Sequence, residues 1–166
     1  MWYGERRNQI NSMKWVKKTV FAIVIVLITI QFIQPAHNKS GQVLPTDITK
    51  TYSVPENVAA IFKNACYDCH SNNTRYPWYS NIQPMAWMMA MHIKNGKEKL
   101  NFSEFGSYTT RRQISKLKGI ANSIKDATMP LASYKMIHKN ATLSQADKAL
   151  TMDWIQRTAD CISTKR

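Results

Sequence analysis

Cysteine is scarce and odd in number, three in 166 residues, which argues against a disulfide framework. Two of the three, Cys66 and Cys69, stand one helical turn apart and point to local chemistry, while Cys161, near the C-terminus, reads as an inert thiol. Acidic residues are few as well: 10 Asp and Glu face 23 Lys and Arg, for a net charge of +13. The excess is spread along the chain and no recognisable nucleic-acid module accompanies it, so nucleic acid is set aside as a partner. No Gly/Ser-rich, Gln/Asn-rich or internally repeated stretch is present, which excludes low-complexity and solenoid architectures. No segment alternates as a strand does, leaving an all-α fold class. The length allows one functional domain with a single modest core.

What the chain does have is an uncharged run. Residues 19–36 (TVFAIVIVLITIQFIQPA) hold 18 residues without a charge, about 27 Å as a continuous helix, close to the hydrocarbon thickness of a bilayer. Arg6, Arg7, Lys14, Lys17 and Lys18 precede it, and the positive-inside bias then puts the N-terminus in the cytoplasm. A cleaved secretory signal is the rival, but Gln34 occupies the position where a small residue is wanted before Ala36. The expected organisation is a cytoplasmic basic segment over 1–18, an N-terminal transmembrane helix over 19–36, a polar linker over 37–52 with Gly41 and Pro45, and a domain over 53–166. That domain should lie on the periplasmic side of a bacterial inner membrane, single-pass.

Four helices are expected in the domain. The first opens with Ser53 as N-cap, Pro55 and Glu56, and turns Val58, Ile61, Phe62 and Ala65 to one face. The second starts near Pro84 and stops before Gly96. A third carries Ile114, Leu117, Ile120 and Ile124 at helical spacing, and the last begins at Ser144, with Asp147 completing a capping box and Ala146, Leu150, Trp154 and Ile155 facing inward.

Between the first and second lies CYDCH, residues 66–70. Two thiols a turn apart can bond the two vinyl-derived carbons of a haem, and the next residue's imidazole then sits beneath the iron. Cys66 and Cys69 are therefore candidate covalent attachment points and His70 the candidate proximal iron ligand. A structural zinc site wants four ligands, and no second Cys or His pair with suitable spacing follows. Thioredoxin-like chemistry wants a βαβ setting that the helical pattern does not provide.

Met129 is the first candidate for the distal iron ligand, because Pro130 ends the third helix and lets the thioether project from a loop. His92 and His138 are the other candidates, and Met85, Met88 and Met89 read as helix-face filler. The aromatic stretch RYPWYSNIQPMAW reads first as core packing, with a functional version in which Arg75 and the polar tips bond the haem propionates. Basic residues between 94 and 125 form a solvated face, or steer an acidic redox partner to a haem edge.

The stretches VPENVAAIFKNACYDCHSNNTRYPWYSNIQPMAW, LNFSEF, MPLASYKMIH and LSQADKALTMDWI resemble the haem-binding domain family of small bacterial cytochromes c, with CYDCHSN followed by YPWYS the most specific part. The order CxxCH, Met-Pro loop, terminal helix with an inward Trp is similar to class I cytochromes c, from which the segment 73–109 departs. The resemblance implies a cytochrome c-like helical domain with one haem c, attached at Cys66 and Cys69, with His70 proximal and Met129 distal. Together these readings give a membrane-anchored carrier of single electrons between partner proteins, not an enzyme. A small haem peroxidase and a haem-based sensor or interaction module are the competitors.

Overall fold

The computed structural model describes the backbone of residues 2–164 and the side chains of residues 13–164, so Arg6 and Arg7 lie outside the described side chains. No strand occurs among the described residues, where an isolated bridge joins Lys39 and Asn73. The all-helical expectation holds. The chain divides into two units, one of residues 1–36 and 76–90, the other of residues 37–75 and 91–166.

The first unit is built on α1, Trp2–Ile30. Beyond Ile30 the backbone tightens, the N–H groups of Gln31, Phe32 and Ile33 reaching the Ile28, Thr29 and Ile30 carbonyls at 3.1–3.2 Å, and a clamp of glutamine side chains holds the chain there. Gln31 donates to the carbonyls of Leu27 (2.9 Å) and Gln83 (3.3 Å), and its Oε1 accepts the Gln83 N–H at 2.9 Å. Buried Gln83 donates in turn to the Ile33 carbonyl at 2.7 Å, and the Trp87 indole donates to the same oxygen at 3.1 Å. The uncharged part of α1 therefore spans residues 19–30, about 18 Å against a hydrocarbon core of about 30 Å. An 18-residue window ending at Ile30 takes in Lys14, Lys17 and Lys18. No helix among the described residues is long and apolar enough to cross a membrane, which overturns the transmembrane helix over residues 19–36. The aromatic stretch departs from core packing too: Trp78, in a 3₁₀ turn, is 78% exposed and meets Tyr79 edge-on.

The second unit holds the core. Its helices are α2 (Ile48–Thr51), α3 (Glu56–Ala65), α4 (Tyr67–His70), the later part of α5 (Met85–Lys99), α6 (Thr110–Lys125), α7 (Ala132–Ile137) and α8 (Gln145–Thr164). Val58 and Phe62 of α3 meet Leu117, Ile120 and Ile124 of α6 and Trp154 of α8 in one apolar cluster, each fully buried side chain contributing about 1.5–3 kcal/mol. Within it Trp154 meets Phe62 edge-on at 5.5 Å, Phe62 stacks on Phe102 at 5.1 Å and Phe102 stacks on Tyr67 at 5.2 Å. This aromatic column carries the core up to the CYDCH turn.

Local signals fare unevenly. Ser144 and Asp147 form the expected capping box, with bonds of 2.7–3.1 Å, and the carboxyl of Asp147 is held below its usual range by those Ser144 contacts. Ser53 does not cap α3, which starts after Pro55; instead its carbonyl accepts the Trp154 indole N–H at 3.0 Å. Ala146 is exposed, and Thr151 takes the inward position on α8. Within the segment read as a linker, Ile48 is fully buried, and Asp47 caps α2 while accepting the Tyr67 hydroxyl at 3.0 Å.

Candidate functional site

Cys66 closes α3 and opens α4, so the CYDCH turn begins where one helix hands the chain to the next. Its carbonyl accepts the N–H groups of Cys69 (3.2 Å) and His70 (3.0 Å), closing a single tight turn. α5 runs against this turn through Gly96. The expectation that the helix stops before Gly96 fails because that glycine serves a close approach: a Cβ there would lie 2.5 Å from the Cys69 carbonyl oxygen.

That approach sets the imidazole of His70. Nδ1 stands 2.9 Å from the Gly96 carbonyl and 3.0 Å from the Leu100 carbonyl. A ring nitrogen between two acceptors has to carry the proton, which leaves the lone pair on Nε2, as metal-ligating histidines require. Burial lowers the pKa of His70, the nearby Lys99 ammonium adds to the effect, and the two carbonyl contacts oppose it. The neutral ring, the form that binds metal, is favoured.

Asp68, the second of the two residues between the cysteines, is 7% exposed and saturated with hydrogen bonds. Oδ1 accepts the Arg75 N–H and Nε–H, both at 3.1 Å; Oδ2 accepts Arg75 Nη2 at 3.2 Å and the Tyr134 hydroxyl at 2.6 Å. Arg75 Nη2 also donates to the Lys63 carbonyl at 2.7 Å. The arginine expected to meet propionates is thus committed to Asp68.

On the other side, α6 ends in a Schellman turn. Ala127 adopts φ 53°, its N–H reaches the Ile124 carbonyl at 3.2 Å, and the Thr128 N–H reaches the Ser123 carbonyl at 3.1 Å. The Met129 N–H shares that Ser123 oxygen at 3.3 Å. The helix is therefore stopped by a left-handed alanine ahead of Pro130, and Met129 is delivered to the rim with 38% of its surface exposed.

Between the two walls lies a cleft with two lobes, of about 250 and 210 Å³, both lined by Cys66, His70, Lys99, Met129 and Pro130. Together they reach the ~300–1,000 Å³ range of ligand sites. Phe102, Ile120 and Leu143 make the first lobe apolar, and Lys116 joins Lys99 on its lining. Cys69, Asp68, His92 and Tyr134 line the second. The structure thus brings Cys66, Cys69, His70 and Met129 around one cleft, with His92 beside them. His138 lines neither lobe and stacks on Tyr134 at 4.3 Å.

The two thiols are unbridged and half-buried. Burial, reinforced by the neighbouring Cys69, pushes Cys66 up to about 12, and burial with Asp68 pushes Cys69 up to about 11. They stay protonated at neutral pH, contrary to the low-pKa thiolate of a redox CxxC. Among the described residues no group of three or more His, Cys, Asp and Glu is placed to hold a metal ion on its own. One oriented imidazole, two thiols and apolar walls fit a haem, which brings its own iron and four ring nitrogens.

Sequence reasoning missed Gly96, Asp68 and Tyr134. Gly96 looked like a helix stop, and the 66 positions that separate Asp68 from Tyr134 leave no periodic trace. A family model described as a haem-binding domain matches residues 25–157. No curated protein and no solved structure matches the chain.

Proposed function

Because the chain belongs to the haem-binding domain family, we propose that its haem is a single haem c bonded to Cys66 and Cys69, that His70 and Met129 would ligate its iron, and that it passes single electrons between partner proteins. The observation that carries the reading is the His70 ring, pinned by two carbonyls so that one nitrogen is left for iron, in a cleft whose wall bears two protonated thiols. When bound, the group supplies one-electron chemistry between ferric and ferrous iron.

The chain's own residues do the rest. The Gly96 and Leu100 carbonyls fix the His70 tautomer and raise the basicity of its free nitrogen. As a ligand, the Met129 thioether would favour the reduced metal and raise the potential relative to a second imidazole. Lys99 and Lys116 line the cleft and place positive charge where an acidic redox protein would dock, so electron exchange should slow as salt rises. The compartment belongs to the same proposal: a periplasmic domain, where covalent haem attachment takes place.

The test is the visible spectrum of the loaded protein in both oxidation states, with and without carbon monoxide, for wild type, Met129→Ala and His92→Ala. The carrier reading expects a low-spin wild type that resists carbon monoxide, converted to high-spin by Met129→Ala alone. Ready carbon monoxide binding by the wild type would favour a peroxidase or sensor instead.

A further inference from the structure

We propose that Asp68 and Tyr134 form a latch that holds the Met129 loop closed over the cleft; the inference rests on the reading of Met129 as an iron ligand. Three of the four hydrogen bonds on the Asp68 carboxylate come from Arg75, seven positions along the chain, and fix its orientation. The fourth comes from the Tyr134 hydroxyl at 2.6 Å and crosses 66 residues to α7.

α7 begins directly after the Met129–Pro130 pair, with Leu131 as its N-cap. Asp68, Met129, Pro130 and Tyr134 line the same lobe of the cleft. The Tyr134 ring is steadied on another face by His138, stacked at 4.3 Å and 21°. Met129 is thus held from its N-terminal side by the Ser123 carbonyl, through a long 3.3 Å bond, and from its C-terminal side by a short charge-assisted one. Asp68 sits inside CYDCH, so the wall that carries His70 also sets the position of the loop opposite. Both residues are positioning residues: neither needs to touch iron to decide how often the distal face opens.

The experiment uses the full chain loaded with haem and compares Tyr134→Phe with wild type, Met129→Ala and Tyr52→Phe. Tyr134→Phe keeps the ring and its stack and removes only the hydroxyl. Tyr52→Phe deletes a bond of the same 2.6 Å length, to Gln113, from a residue that lines neither lobe. The latch expects carbon monoxide to bind the reduced Tyr134→Phe protein about tenfold more readily than wild type, with Tyr52→Phe unchanged in ligand binding even where its stability falls. Tyr134→Phe matching wild type while Met129→Ala opens the iron overturns the latch alone. Met129→Ala keeping the wild-type low-spin spectrum overturns the distal-ligand reading and the latch with it.

Discussion

The wall of the cleft that carries His70 is fixed by backbone, whereas the wall that carries Met129 hangs from a strained turn and a side chain. On the His70 side, Gly96 lets α5 touch the Cys69 carbonyl, and two further carbonyls grip the imidazole, all without a flexible group. On the Met129 side, a left-handed alanine ends α6 and the Tyr134 phenol supplies the tie. Rigid support on one side and adjustable support on the other suits the proposed roles, in which His70 would stay put while Met129 would set access and potential.

Three changes break or sharpen that contrast. The largest effect is expected from Gly96→Ala. A mid-helix glycine replaced by alanine ordinarily gains about 1 kcal/mol. Here the new Cβ would meet the Cys69 carbonyl oxygen at 2.5 Å, so a loss of about 2 kcal/mol is expected in urea denaturation, together with weaker haem loading. A stabilised variant would show that the rigid wall is not rigid.

Next comes the pH response of His70. Its folded pKa lies below the usual 6.5, so above that pH the ring is neutral in both states and contributes no slope. As pH falls below 6.5 the unfolded chain takes up a proton that the folded one resists. Stability of the haem-free chain should fall by up to about 1.4 kcal/mol per pH unit on this account. Urea midpoints measured from pH 7.5 to 5 should lose that part of their slope in His70→Gln, and an unchanged slope would contradict the buried, neutral ring.

The smallest effect is on the adjustable side. Ala127→Gly removes the Cβ from a left-handed position and should raise stability by about 1 kcal/mol, seen as a higher thermal midpoint with an unaltered haem spectrum. A loss of stability would mean that the Schellman turn does not carry the strain.

The same contrast governs what the sequence made legible. The amphipathic spacing of α3, α6 and α8 and the Ser144–Asp147 box are local signals, and they lead to helices. CYDCH is local too, which is why Cys66, Cys69 and His70 could be named together. The short helices α2, α4 and α7 carry too few residues for a periodic pattern. The end of α1 was missed for a physical reason: Gln31 is held by Gln83, 52 positions away, and no count of apolar residues registers that pairing. Asp68 was hidden as one of the variable positions of its motif, although a buried carboxylate needs partners wherever it lies.

The central claim is that haem is bonded at the CYDCH turn. It is tested most directly by haem-dependent staining on a denaturing gel of protein expressed with cytochrome c maturation machinery, beside a Cys66→Ala/Cys69→Ala double variant. The account predicts a stained band that survives denaturation in the wild type and is lost in the double variant. A folded wild type without stain, or a double variant that still stains, would contradict it.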